Sequence, residues 1–232
     1  MKFNIIFDNV KYNENLQNLW GFSCLIKTEQ HNILFDTGSN GRVLLQNAKK
    51  MGIDFKDIDI LFISHSHWDH IGGIDTVIEE NPNITLIIPN TLSKHFIKDL
   101  KTLVKKVIII DKFTHIIDNL YSTGIMGKDM KEHSLIIEEN TKLFIISGCS
   151  HSGIDNIEKT AIKNLKRDVK FIIGGFHLMY SNEQEIKNTI NNLTSKYITA
   201  THCTGEKGIK IAKEIYQDRF ITGGAGAEIE IN

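Results

Sequence analysis

The chain has 232 residues, 41% of them apolar, and its 28 acidic and 27 basic side chains leave a formal net charge of −1. That length and apolar share support one large α/β domain or two small ones, and the balanced charge leaves no basic footprint for nucleic acid. No apolar run reaches membrane-spanning length, the N-terminus carries charge in place of a secretory leader, and three cysteines with no close pair fit free thiols in the cytoplasm.

In chain order, Lys2 to Val10, Phe22 to Lys27 and Asn32 to Phe35 read as strands of an antiparallel start. They run into Asp36-Thr37-Gly38, ahead of a helix over Arg42 to Met51 whose Leu44, Ala48 and Met51 recur at helical spacing. An Asp there can serve as a turn or cap residue, or can orient a metal-binding His by accepting its spare ring N–H. The next strand, Ile58 to Ile63 with Asp59 interposed, stops at Ser64 and opens into His65-Ser66-His67-Trp68-Asp69-His70. Four potential ligands thus fall within six positions at a strand's carboxyl end. His65 and His67, two apart on extended chain, share a side, and Asp69 and His70 follow once the chain turns. Imidazole with carboxylate suits zinc, manganese or iron, and no Cys-x-x-Cys pair is present to build a closed structural zinc site.

Gly72-Gly73 permits a tight departure into a short helix through Glu80, followed by a strand at Ile84 to Ile88, a helix at Leu92 to Leu103 and a strand at Val107 to Ile110. Lys98, Lys101, Lys105 and Lys106 read as a solvated face. The weakly periodic stretch Lys112 to Lys131 is expected to be connection and rim of the site. A hairpin follows, Ser134 to Glu138 with Lys142 to Ile146, ending in Ser147-Gly148-Cys149-Ser150-His151-Ser152-Gly153 before a helix. Phe171 to Gly175 leads to His177, and Tyr197 to Thr201 leads to His202-Cys203-Thr204-Gly205 and a helix over Glu206 to Tyr216. A His after each of these strands repeats the placement of His65, and such ends form sites in α/β sheets. Gly223 to Ala227 lacks the following helix that a phosphate cradle needs. His31, His95, His115 and His133 read as ordinary polar residues, Cys24 as core, and Cys203, beside His202 on extended chain, is expected to face away from it.

His-x-His-x-Asp-His resembles the signature of the metallo-β-lactamase superfamily. Ser-Gly-Cys-Ser-His-Ser-Gly at 147–153, Gly-Gly-Phe-His-Leu at 174–178 and Thr-His-Cys-Thr-Gly at 201–205 resemble one branch of it. That branch holds metal-dependent hydrolases and a 7,8-dihydropterin-6-methyl-4-(β-D-ribofuranosyl)-aminobenzene-5′-phosphate synthase. The resemblance implies an αββα sandwich of two mixed sheets flanked by helices, here a single domain of two pseudo-halves, about 1–115 and 116–232. It implies two divalent ions, zinc first and manganese or iron otherwise, with His65, His67 and His151 around one, Asp69, His70 and His202 around the other, and Asp36 beneath. Where many members place a bridging Asp, this chain holds Cys149, which could bridge, bind one ion or point into the core. Asp69 could also accept a proton, and His177 is expected to bind substrate or protonate a leaving group, with a ligand's role as the alternative.

The expected function is a metal-dependent hydrolase using a dinuclear metal-bound hydroxide on a phosphodiester or cyclic phosphate. The alternatives are a pterin transferase and a non-catalytic ligand or metal sensor. The partner is a small phosphorylated molecule, with neither membrane nor nucleic acid, and a homo-oligomer stays open.

Overall fold

The computed structural model describes all 232 residues, Met1–Asn232, and divides into two compact units, Met1–Ile110 with Gly224–Asn232 and Asp111–Gly223.

The first unit contains β1 (Lys2–Asp8), β2 (Phe22–Lys27), β3 (Asn32–Phe35), α1 (Gly41–Lys50), β4 (Ile60–Phe62), α2 (Trp68–Ile71), α3 (Ile74–Glu80), β5 (Thr85–Pro89), α4 (Lys94–Leu103) and β6 (Lys106–Ile110). In the second come β7 (Thr114–Ile117), β8 (Leu120–Ser122), β9 (Leu135–Glu139), β10 (Lys142–Ser147), α5 (Ile154–Leu165), β11 (Asp168–Gly175), α6 (Glu183–Asn191), β12 (Tyr197–Thr201) and α7 (Gly205–Tyr216). The last strand, β13 (Glu228–Glu230), rejoins the first unit by pairing antiparallel with β1.

The first sheet has the order β13-β1-β2-β3-β4-β5-β6. Its β3, β4, β5 and β6 run parallel, so their carboxyl ends share one edge. Phe35 and Phe62 are register partners on β3 and β4, and their rings stack at 5.2 Å. Such a pair contributes about 0.5–1.5 kcal/mol beyond area burial, and it fixes the two strand ends from which Asp36 and Ser64 emerge. The core under this sheet joins Leu34, Leu61, Leu86 and Ile88 to Val43, Leu44 and Ala48 of α1 and Val77 of α3. Asn40 caps α1 by accepting from the Val43 amide, which leaves the apolar face of the helix to the sheet.

The second sheet has the order β12-β11-β10-β9-β8-β7, with β10, β11 and β12 parallel and the rest antiparallel. Its core joins Leu143, Ile145 and Ile172 to Ile157 and Ala161 of α5, Ile186 of α6 and Ile211 of α7. Asn182 and Glu185 form a reciprocal capping box at the start of α6.

One sequence expectation changes here. The stretch Lys112 to Lys131 carries the short hairpin of β7 and β8, turned through Asp118 in the left-handed region, rather than connection alone. Its strands are too short to show a pattern in the sequence, and they are held by β7 pairing with β8 and β8 with β9. The glycine-rich segment before β13 closes an edge: the Ala225 amide donates to Val10 O and the Gly226 amide to Ile5 O. Lys98, Lys101, Lys105 and Lys106 are exposed, and no helix is long and apolar enough to cross a membrane.

Candidate metal centre

In the first unit, Asp36 leaves β3 with φ 54, a left-handed conformation that Asp tolerates better than most residues. Its carboxylate is fully buried. Oδ1 accepts the Ser64 amide at 2.7 Å, while Oδ2 accepts the Ser64 hydroxyl at 2.7 Å and His70 Nδ1–H at 2.6 Å. Ser64 Oγ also lies 2.9 Å from His65 Nδ1. Because the Ser64 hydroxyl hydrogen is committed to Asp36, Oγ must accept from His65 Nδ1–H. One carboxylate therefore sets two tautomers and leaves Nε2 as the basic nitrogen of both His65 and His70. Burial pushes the Asp36 carboxyl up from its ordinary value, against the pull of His70 and the two Ser64 donors.

The basic nitrogens face further donors. His65 Nε2 lies 3.0 Å from His67 Nδ1, and His70 Nε2 lies 3.7 Å from Asp69 Oδ2. Two imidazole nitrogens that close must share either a proton or a cation. The ring centroids of His65 and His70 are 4.2 Å apart, and those of His65 and His67 are 4.7 Å apart. The Asp36-Thr37-Gly38 turn also clamps α2: Thr37 N and Oγ1 both donate to His70 O, and the Gly72 amide donates to Gly38 O. A Cβ on Gly72 would meet Ser39 O at 2.5 Å, so this close approach requires glycine.

In the second unit, the carboxyl ends of β10, β11 and β12 carry Cys149 with His151, His177, and His202 with Cys203. Ser150, His177 and His202 have φ values of 61, 53 and 52. Left-handed non-glycine residues cost on the order of 1–3 kcal/mol each and persist where surrounding bonds over-determine them. Those bonds are present: the Gly175 amide donates to Gly148 O, Ser150 Oγ to Gly175 O, and the Phe176 amide to Thr204 Oγ1. Cys149 Sγ lies 3.5 Å from His202 Nε2, and the His151 and His177 rings are 4.3 Å apart.

Glu132, not singled out from the sequence, organises this cluster. Buried, it accepts the amides of Cys149 (2.8 Å), Ser150 (3.1 Å) and His151 (3.0 Å), together with the Ser147 hydroxyl at 3.3 Å.

Cys203 departs from expectation. The chain leaves β12 through a 3₁₀ turn, His202–Thr204, so strand alternation does not apply and the thiol stays within the cluster. The sulfurs of Cys149 and Cys203 and a ring nitrogen of His177 lie within 4.8 Å of one another. Burial pushes the Cys203 thiol up, but hydrogen bonding with Cys149 and His177 and the field of His202 outweigh it and hold the thiol well below its ordinary value. The hydrogen bond with Cys203 in turn raises His177. His177 is exposed on a cavity of about 690 Å³ lined also by Met126, Lys128, Asp129 and His151. Among the remaining histidines, His133 is buried with Nδ1 2.8 Å from Ser122 Oγ, and His95 is exposed. Cys24 is buried, which pushes its thiol up.

Imidazole and carboxylate donors at parallel strand ends, two of them with tautomers set from behind, are donors of the kind that could hold a divalent metal ion. The family model of the metallo-β-lactamase superfamily matches residues 21–152, more than half of the chain, and the protein belongs to that superfamily. Its fold is the one shared by that family, two mixed sheets flanked by helices. The crystal structure of a metal-dependent hydrolase of the beta-lactamase superfamily aligns over 100% of this chain and 99% of its own, with a TM-score of 0.80 and 25% identity. The 7,8-dihydropterin-6-methyl-4-(beta-D-ribofuranosyl)-aminobenzene-5′-phosphate synthase of Methanocaldococcus jannaschii is 27% identical, covering 92% of this chain and 90% of the relative. A ribonuclease Z of Agathobacter rectalis is 35% identical over 85 residues, 34% of this chain and 27% of the relative.

Proposed function

We propose that this protein is a metal-dependent hydrolase of a phosphodiester or cyclic phosphate. Its ligands are His65, His67 and His151 for one divalent ion and Asp69, His70 and His202 for the other. The observation that carries this reading is the Asp36 relay, which leaves His65 and His70 with basic Nε2 atoms beside His67 and Asp69. A histidine pair packed only for stability needs no such tautomer control. The donor set fits zinc and accommodates manganese or iron. A bound metal pair lowers the pKa of water and polarises the phosphoryl oxygen under attack.

The chain's own residues supply orientation and proton handling. Asp36 and Ser64 hold two imidazoles from behind, and Glu132 fixes the loop that carries Cys149 and His151. Asp69, buried in the first turn of α2, offers a carboxylate that can accept a proton. Cys149 is a further candidate ligand beside His202. Lys128 on the cavity wall offers a positive charge to a phosphate, with Asp129 next to it. Similarity to ribonuclease Z supports phosphodiester chemistry, and three free cysteines support a cytoplasmic setting.

The test is metal content together with hydrolysis of a chromogenic phosphodiester. Asp69→Ala is expected to reduce turnover by about 10³-fold. Equal rates in wild type and variant would remove the reading.

A second reading, a pterin transferase, is favoured by the similarity to the archaeal synthase across 92% of this chain. Trp68, 63% exposed between His67 and Asp69, offers a ring face to an aromatic bicycle. Product formation from a pterin and a phosphorylated ribosyl-aniline, measured beside hydrolysis, decides between the two.

A further inference from the structure

The second cluster carries more donors than the six ligands proposed above. His177 and Cys203 lie outside that set, yet their donor atoms and Cys149 Sγ are within 4.8 Å of one another. The donors of a tetrahedral zinc site with Zn–S near 2.3 Å stand roughly 3.5–4 Å apart, so closure by about 1 Å would complete a site.

Two features show that space and direction are provided for this triad. A Cβ on Gly175 would come 2.5 Å from Cys203 Sγ and 2.5 Å from Gly148 O. The thiol therefore occupies volume that any side chain at 175 would take. His177 is held in the left-handed region, which presents its ring on the cavity wall next to His151. The cavity opens onto the His177 end of the triad, and the two cysteines lie buried behind it.

We propose that Cys149, Cys203 and His177 form a three-donor site for a thiophilic divalent cation, zinc or cadmium in preference to magnesium or manganese. Two sulfurs and an imidazole are soft donors, a poor match for hard cations that prefer oxygen. The fourth position is left for water or a substrate atom. Cys149 would be common to this site and to the proposed pair of ions, so the inference rests on the metal-binding reading but needs neither Asp69 nor a phosphodiester substrate. It gives His177 a ligand's role in place of a proton donor's.

Apo protein titrated with Co²⁺ reads the site through thiolate-to-cobalt charge-transfer absorption. Wild type is expected to show the absorption, Cys203→Ser to lose about half of it and Cys149→Ser/Cys203→Ser all of it, because each sulfur contributes one charge-transfer donor. Full absorption in Cys203→Ser overturns the proposal. Cadmium-113 NMR on wild-type protein saturated with cadmium needs no variant: a resonance at the shift of a cadmium with two thiolate ligands supports the site, and its absence overturns it. His65→Ala/His67→Ala separates the two readings, because it should abolish hydrolysis while leaving the thiolate absorption in place. Hydrolysis by a wild-type protein that shows no thiolate absorption would retain the proposed function and remove this site.

Discussion

The two donor clusters are built on the same plan, residues at the carboxyl ends of parallel strands, but they are held in different ways. In the first unit the support is side chain to side chain: Asp36 binds His70 directly and His65 through Ser64. In the second the support is side chain to backbone, with Glu132 accepting three successive amides from Cys149 to His151. The first arrangement controls which nitrogen of a ring is basic. The second controls where the loop runs. The donor chemistry divides in the same way, imidazole and carboxylate in the first against sulfur and imidazole in the second.

The largest expected effect comes from the backbone cradle. Glu132→Ala leaves three amides without their acceptor at roughly 1–3 kcal/mol each, and since such losses are not additive, a destabilisation of about 3–5 kcal/mol is expected in chemical denaturation. Glu132→Gln keeps one carbonyl oxygen for Cys149 and Ser150 and should cost about 1–3 kcal/mol. If both variants were as stable as wild type, the contrast between the clusters would be lost. In the first unit Asp36→Asn should act on metal instead of fold. Asn accepts the left-handed backbone, but its amide nitrogen would meet two donors, Ser64 Oγ–H and His70 Nδ1–H. His70 must then move its proton to Nε2, and metal affinity should fall about 10–100-fold, as read by chelator competition. Unchanged affinity would mean that the tautomer of His70 is not controlled from Asp36.

The difference in support also explains what could be read from the sequence. His65, His67, Asp69 and His70 lie within six residues, and Asp36 ends the strand that pairs with β4, so local pattern and strand logic reach all of them. The strands at Phe22–Lys27, Asn32–Phe35 and Tyr197–Thr201 are legible in the same way, being apolar runs ended by turn residues. Glu132 was not legible. It precedes β9 in a stretch without periodicity, and its partners are 15 to 19 residues away, at the end of β10 and in the loop after it, a pairing set by tertiary packing alone. Cys203 was misdirected because alternation was carried two residues past the end of β12, into a turn where His202 adopts φ 52. The paired glycines at 174 and 175 were the available signal, since a strand gives up side chains where another group must approach closely.

That close approach gives a smaller effect that sharpens the comparison. Gly175→Ala places a methyl against both Cys203 Sγ and Gly148 O, and overpacking of this kind costs roughly 1–3 kcal/mol. Adding Cys203→Ala removes the contact with sulfur but not the one with the carbonyl, so the double variant should recover part of the loss. Full recovery would mean that the glycine serves the thiol alone, and no recovery that it serves only the strand ends.

The smallest effect concerns pH and separates the donor clusters from ordinary burial. Glu158 is buried on α5 and accepts the Thr194 amide at 2.9 Å and its hydroxyl at 3.2 Å, and burial raises its carboxyl above the ordinary value. A carboxyl whose folded-state pKa lies above its unfolded value binds more protons in the folded state, so stability falls as pH rises from the unfolded pKa through the folded one and is then constant. Asp36 is shifted in the same direction, so the slope of wild type alone is ambiguous. The difference between wild type and Glu158→Gln isolates the buried carboxylate that faces no donor cluster, because Gln can still accept from Thr194 and carries no charge. Thermal denaturation of metal-free protein across the mildly acidic range should show a shallower fall in the variant. A slope that Glu158→Gln leaves unchanged but Asp36→Asn removes would assign the pH response to the carboxylate behind the histidines.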